Sequence, residues 1–164
     1  MALVNKAWRE GTFVPPGDEP GLVKGREFEE NTQRLAVAEI ARLRFALPDR
    51  MHPDLKTHTN QPEHTVGVRV GSDLLFPDIV VLNSSTTEVE MLAEVETARS
   101  LRTPDVAEKW RAFTTAGPLY LFVPLSEIDR ARSLLRAAGV KLTGLRAYKM
   151  NMGQRRVEVI DVPA

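Results

Sequence analysis

The feature that most constrains the fold is the apolar pentapeptide LYLFV at residues 119–123. An almost wholly apolar run of this length is typical of a central strand that is covered on both faces. Helix signals flank it. A helix is predicted at residues 103–116, which start with a candidate N-cap threonine followed by Pro104. A second, amphipathic helix is predicted at residues 126–138, and Gly139 ends it. The pattern predicts an α/β protein.

The N-terminal part of the chain divides into an arm and a helix. Residues 1–23 are rich in proline and glycine and predict a loop or arm. Residues 24–47 predict a helix that Pro48 ends, and Glu29 falls inside its apolar stripe, where a carboxylate needs a partner or a function. The predicted stripe consists of Phe28, Leu35, Ile40, Leu43 and Leu47.

Strand signals dominate the middle of the chain. Alternating or apolar runs predict strands at 65–70, 78–82 and 89–97, and the tight turns between them favour an antiparallel meander. A further short strand is predicted near 56–60, and two more at 144–149 and 156–162. The order is α-β-β-β-α-β followed by an α-β-β extension, within one domain at 24–164 built on a central mixed sheet flanked by helices.

Composition excludes some functions and leaves others open. The chain has no cysteine, which excludes disulfides, thiolate metal sites and cysteine nucleophiles. No apolar run approaches membrane-spanning length and no secretory signal is evident, so we expect a cytoplasmic protein without a membrane partner. Serine catalysis has little support because no serine has a Gly-x-Ser-x-Gly context.

Charge is unevenly distributed although the formal net charge is zero. Residues 73–98 contain six acidic side chains and no basic one, whereas residues 99–156 contain twelve basic and four acidic side chains. This distribution suits a protein that holds cations in one place and phosphates nearby. It equally fits a soluble protein with uneven charge, and zero net charge by itself argues against a nucleic-acid binder.

Three carboxylates are predicted to converge. Glu94 and Glu96 lie two residues apart on one strand and therefore project to the same face. Asp78 begins the preceding strand, and pairing of the two strands would bring it close to them. Such a cluster repels itself unless a cation binds, and hard oxygen ligands suit Mg²⁺ or Mn²⁺. A metal held in this way can support phosphodiester cleavage.

The segment Pro77-Asp78, the spacer and Glu94-Val95-Glu96 resemble the signature of the PD-(D/E)XK nucleases, on the α-β-β-β-α-β core of that family. The Gly25-x-x-Phe28-Glu29 segment also resembles the family's first helix. The resemblance covers roughly residues 24–124. It implies a restriction-endonuclease-like fold, a metal at Asp78, Glu94 and Glu96, and metal support from Glu29.

One position departs from the family's pattern. Glu96 occupies the place of the usual lysine and cannot supply its positive charge, although some restriction enzymes of this fold have the same Glu-x-Glu variant. Elsewhere in the superfamily the lysine lies on the following helix. Glu94-Val95-Glu96-Thr97 followed by Lys109 and Phe113 resembles the pattern of a group of small bacterial proteins. Lys109 is therefore a candidate catalytic residue; the alternative is an ordinary surface lysine.

The sequence thus favours a metal-dependent nuclease for DNA or RNA. The alternative is a catalytically degenerate protein of the same fold that binds nucleic acid or protein. Candidate phosphate contacts are Arg130, Arg132 and Arg136, together with Lys141 and Arg146, although basic helix faces are more often only solvated. Base-specific recognition would require a homodimer or another partner. Trp110 and Phe113 are expected to pack in the core rather than to stack on bases.

Overall fold

The computed structural model of the protein describes residues 20–163, with side chains from residue 25 onward. The greater part of the predicted arm, residues 1–19, lies outside the described residues. Contacts along the chain divide it into two units, residues 1–32 and 33–164. The candidate carboxylates and Lys109 all belong to the second unit.

Three helices form within the described residues: α1 (Pro20–Arg44), α2 (Val106–Ala116) and α3 (Ile128–Ala138). Helix α1 begins and ends earlier than predicted. Its end precedes Leu47, which stands before a proline and is therefore disfavoured in the helical region.

The predicted N-cap of α2 is wrong. Thr103 donates its hydroxyl to the Ser100 carbonyl of a short 3₁₀ turn, and Asp105 occupies the cap position without a side-chain bond. The local turn at 100–102 competes with the helix for these residues, so α2 starts later than its sequence signals predict.

The buried face of α1 differs from the predicted stripe. Within the second unit, Ala36, Val37 and Ile40 are fully buried, whereas Leu43 is 42% exposed. The small Ala36 and Val37 side chains pack in the same core cluster as strand residues such as Val81. A search for large apolar residues at helical spacing misses a face made of small ones.

Eight strands form two sheets among the described residues. They are β1 (Leu55–Thr59), β2 (Val68–Val70), β3 (Asp73–Leu75), β4 (Ile79–Asn83), β5 (Val89–Val95), β6 (Leu119–Pro124), β7 (Gly144–Asn151) and β8 (Arg156–Asp161). The main sheet has the order β1-β4-β5-β6-β7-β8. Its β5-β6 and β6-β7 pairs are parallel and its other pairs antiparallel. The predicted α/β class and mixed sheet are confirmed.

The first strand of the predicted meander is wrong. The strand that pairs with β4 is β1, whereas β2 pairs only with β3 in a separate hairpin. The backbone N–H groups of Thr65 and Val66 donate to the side chain of Asn60, so the N-terminal part of the predicted strand 65–70 is held in a loop.

The main sheet is covered on both faces. Phe122 of β6 packs in the cluster that contains Ile40 of α1, and its neighbour Leu121 packs in the cluster that contains Trp110 of α2 and Ala131 of α3. Successive residues of a strand face opposite sides, so both clusters share β6. The prediction of a doubly covered central strand is confirmed. No helix within residues 20–163 is long and apolar enough to cross a membrane.

Candidate functional site

The side chains of Asp78 and Glu94 each bind a backbone N–H of the opposite strand segment at the end of the β4–β5 pair. Regular pairing reaches Ile79 opposite Ala93. Beyond it, the Asp78 N–H donates to Glu94 Oε1 at 2.8 Å, and the Val95 N–H donates to Asp78 Oδ2 at 2.8 Å. Two side chains therefore replace the next ladder bonds, and this brings the two carboxylates together as the sequence predicted.

Glu96 follows β5 and is 1% exposed. Its Oε1 accepts a hydrogen bond from Trp110 Nε1 at 2.8 Å, and its Oε2 accepts one from the Ser100 hydroxyl. Its backbone also continues the parallel ladder, since the Glu96 N–H donates to the Phe122 carbonyl at 2.9 Å. The Glu96 carboxylate is thus fixed by donors from two segments that follow it in the chain.

Lys109 of α2 bridges two of the carboxylates. Its ammonium lies 2.9 Å from Glu94 Oε2 and 2.8 Å from Glu96 Oε1. The Lys109 side chain is 40% exposed, whereas the residues Glu94 and Glu96 are 4% and 1% exposed. The predicted migrated lysine thus lies against the motif carboxylates, with part of its side chain open to solvent.

Burial and mutual repulsion change the protonation of the acids. Burial raises the pKa of Asp78 to about 6, against the lowering effects of the Val95 N–H bond and the Lys109 ammonium. Burial, then the nearby Asp78 charge, raises the pKa of Glu94 to about 8, again against Lys109. The two carboxylates raise the pKa of Lys109 above its ordinary value despite its burial. At pH 7 a carboxyl with a pKa of about 8 is protonated in most of the molecules, and Glu94 is therefore mostly neutral there.

A loop that the sequence did not single out supports Asp78. The buried Asn60 donates to the carbonyls of Val66 and Pro77, at 2.7 and 2.6 Å. Its backbone N–H donates to the Asp78 carbonyl at 2.9 Å, and Gln61 Nε2 lies 3.4 Å from Asp78 Oδ1. An isolated amide in a polar loop has no periodicity, so sequence reasoning had no signal for it.

The backbone carbonyls of the Glu-x-Glu segment are also held. Gln33 Nε2 of α1 donates to the Val95 carbonyl at 3.2 Å, and the Tyr148 hydroxyl of β7 donates to the Glu96 carbonyl at 2.7 Å. Trp110 is buried in the core as predicted, yet its indole also contacts Glu96. The contacts of Gln33 and Tyr148 depend on tertiary packing and that of Ser100 on the local 3₁₀ turn, and none of the three was predicted.

The donor set suits a hard divalent cation, though only in part. Asp78 and Glu94 each give one oxygen to a backbone N–H. The other oxygen of each has a single side-chain contact, from Gln61 and from Lys109 respectively, so acceptor sites remain on both acids. Mg²⁺ commonly binds one or two protein carboxylates and retains several waters, so two such acids fit its chemistry. Across residues 20–163, however, no group of three or more His, Asp or Glu side chains is arranged to hold a metal ion.

The remaining predicted residues lie elsewhere. Glu29 belongs to the first unit, and its supporting role stays a prediction. Arg132 and Arg136 line a cleft of about 730 Å³ together with Arg146. Arg130 does not line this cleft and instead pairs with Glu127 at 3.3 Å. Of the five residues of the predicted phosphate track, Arg132, Arg136 and Arg146 share one cleft, whereas Arg130 and Lys141 do not line it. Phosphate binding by these residues stays a prediction.

The pattern of contacts thus defines a buried acidic site with one lysine. It joins the end of a β-hairpin to the helix that follows it. Comparisons of the chain with protein families, with curated proteins and with solved structures find no match. Conclusions about function therefore rest on the geometry of this site.

Proposed function

We propose that this protein is a metal-dependent phosphodiesterase that acts on DNA or RNA, with Mg²⁺ or Mn²⁺ held by Asp78 and Glu94. The observation that carries the proposal is the pair of side-chain bonds at the end of the β4–β5 pair, where Glu94 binds the Asp78 N–H and Asp78 binds the Val95 N–H. Buried carboxylates this close are costly without a cation. The arrangement costs stability, as expected of a functional site.

The order of elements supports the proposal. Helix α1 precedes three antiparallel neighbours, β1, β4 and β5, and α2 then leads to β6, which is parallel to β5. We take the β2–β3 hairpin as an insertion, and the remaining elements then follow the α-β-β-β-α-β order that the resemblance to PD-(D/E)XK nucleases implies. Asp78 directly precedes β4 and Glu94 lies on β5, so the two acids meet at the second and third of these three neighbouring strands.

Each residue has a proposed role. Asp78 and Glu94 would hold the cation, which when bound neutralises phosphate charge and lowers the pKa of a bound water. The Lys109 ammonium, partly open to solvent, would stabilise the negative charge that develops on the phosphate. Asn60 keeps Asp78 in position through its bonds to the carbonyls of Pro77 and of Asp78 itself. Arg132 and Arg136 are proposed to contact the nucleic-acid backbone.

A catalytically degenerate binding protein is the second candidate, and one observation favours it. Lys109 already compensates the charge of Glu94 and Glu96, so the fold does not require a metal to keep these acids buried. In such a protein the same cluster would be a structural ion-pair network, and nucleic acid or protein binding would remain without cleavage.

Calorimetric titration with Mn²⁺ and a supercoiled-plasmid nicking assay separate the two candidates. The nuclease should bind Mn²⁺ and nick DNA or cleave RNA, and Asp78→Asn should abolish both activities while retaining an acceptor for the Val95 N–H. The matched control is Asp73→Asn, at an exposed acid nearby in the chain. If the protein binds nucleic acid but neither cleaves it nor binds Mn²⁺, the result would favour the degenerate protein and contradict the proposal.

A further inference from the structure

We propose that Glu96 is a positioning residue that holds the Lys109 ammonium at the site, rather than a third metal ligand. The catalytic consequence rests on the proposed function, but the positioning itself does not. Glu96 occupies the motif's lysine position, and in this proposal it fixes the lysine that α2 supplies instead, Lys109.

The contacts of Glu96 carry the inference. An ionised carboxylate has about four acceptor sites on its two oxygens. In Glu96, Oε1 takes both the Trp110 indole N–H and the Lys109 ammonium, and Oε2 takes the Ser100 hydroxyl. Three of the four sites are thus used by protein donors, on a residue that is 1% exposed.

Glu94 differs in the way expected of a metal ligand. Its Oε1 accepts only the Asp78 N–H, and its Oε2 contacts only Lys109 among the bonds of the described residues. Two acceptor sites on Glu94 therefore remain. They lie beside the carboxylate of Asp78, whose charge also has to be compensated. The Glu94 and Glu96 carboxylates therefore have different capacities to bind a cation, although the sequence presents them as a symmetrical pair.

The helix geometry explains why Glu96 fixes the lysine. Lys109 and Trp110 are consecutive on α2, so their side chains leave the helix about 100° apart. Both nevertheless reach the same oxygen of Glu96. That oxygen therefore constrains the rotation of α2 and the direction of the flexible lysine side chain, which reduces the entropy lost when the ammonium meets a phosphate.

The first test measures the reactivity of Lys109 in the full-length protein without metal. Amine acylation requires the neutral amine, so the rate at Lys109, followed by peptide mass spectrometry between pH 8 and 10, reports how strongly the ammonium is held. Glu96→Gln should raise this rate at least fivefold, since a fall of one pKa unit raises the neutral fraction about tenfold.

Two control variants distinguish positioning from general loosening. Tyr148→Phe removes the bond to the Glu96 backbone carbonyl but leaves the carboxylate intact, and Glu108→Gln removes an exposed charge next to Lys109 in the chain. Both should leave acylation of Lys109 within twofold of the wild-type rate. Equal rates in Glu96→Gln and Tyr148→Phe, or no change in Glu96→Gln, would overturn the inference.

The second test measures Mn²⁺ affinity. Glu96→Gln should keep the dissociation constant within about threefold, whereas Glu94→Gln should weaken it at least tenfold. Equal weakening by both substitutions would make Glu96 a metal ligand and refute the inference. If the wild-type protein binds no Mn²⁺, the proposed function fails, while the acylation rates still decide the role of Glu96.

Discussion

Replacement of Lys109 by methionine should destabilise the fold in a strongly pH-dependent way. The substitution keeps the length and apolar stem of the side chain but removes the ammonium that contacts Glu94 and Glu96. Both residues are almost fully buried, so they would lose their cation inside the protein rather than in water. The loss of unfolding free energy should therefore increase as the buried acids become ionised.

The expected loss of unfolding free energy in Lys109→Met depends on the burial of the two glutamates and on the exposure of the lysine. Removal of one partner of a buried ion pair typically costs about 3–5 kcal/mol. The Lys109 side chain is 40% exposed, and solvent screens part of the interaction. We expect a loss of about 2–3 kcal/mol at pH 8.5. At pH 5 the loss should fall to about 1 kcal/mol, because Glu94, with a pKa of about 8, is protonated and needs no cation.

Urea unfolding at pH 5 and pH 8.5 in the absence of divalent ions measures both values. Lys141→Met is the matched control, because Lys141 is exposed and the same charge is lost. The control should change the free energy of unfolding by less than about 0.5 kcal/mol. An equal loss for Lys109→Met at the two pH values would refute the electrostatic reasoning, as would a loss below about 0.5 kcal/mol at pH 8.5.

Three further predictions concern pH, the supporting loop and the basic cleft. The folded-state pKa values of Asp78 and Glu94, about 6 and 8, lie above the ordinary values. The stability that their protons provide is complete only below the ordinary pKa values of 3.8 and 4.5, and it is lost as pH rises from there through 6 and 8. At about 1.4 kcal/mol per pKa unit, thermal unfolding without metal should reveal a fall of several kcal/mol, and Mn²⁺ should reduce it; a flat profile would contradict the assignment. Asn60→Ala should cost about 2–3 kcal/mol in urea unfolding, because it leaves buried carbonyl and N–H groups without partners; a cost below 1 kcal/mol would mean that water replaces the amide. Arg136→Ala should lower the salt dependence of nucleic-acid binding by about one unit of slope in a fluorescence titration, whereas Arg130→Ala, paired with Glu127, should not; equal slopes in both variants would exclude the cleft.

Much of the architecture could be predicted because the relevant signals are local. The apolar run at 119–123 predicts a doubly covered strand, and β6 lies inside the sheet with a core cluster on each side. Gly139 ends α3 in the left-handed conformation that glycine favours. The prediction that residues 65–70 form the first strand of the meander failed because a small separate hairpin has the same alternation of residues. Only the pairing partner distinguishes a strand of the main sheet from a strand of such a hairpin.

For the candidate site, the sequence by itself determined which chemistry is available. It supplied acids at positions 78, 94 and 96 with the spacing of a strand motif, a lysine on the following helix, and no cysteine. Such information is local, since residue type and strand periodicity fix which side chains share a face.

Only the tertiary structure decided how these groups differ from one another. The indole of Trp110 and the hydroxyl of Ser100 reach Glu96, while the backbone N–H of Asp78 reaches Glu94. Hydrogen-bond partners and burial set the charge and the free lone pairs of each acid, and both depend on how β4, β5, α2 and the turn before α2 pack together. For this physical reason two identical glutamates in one motif can have different functions.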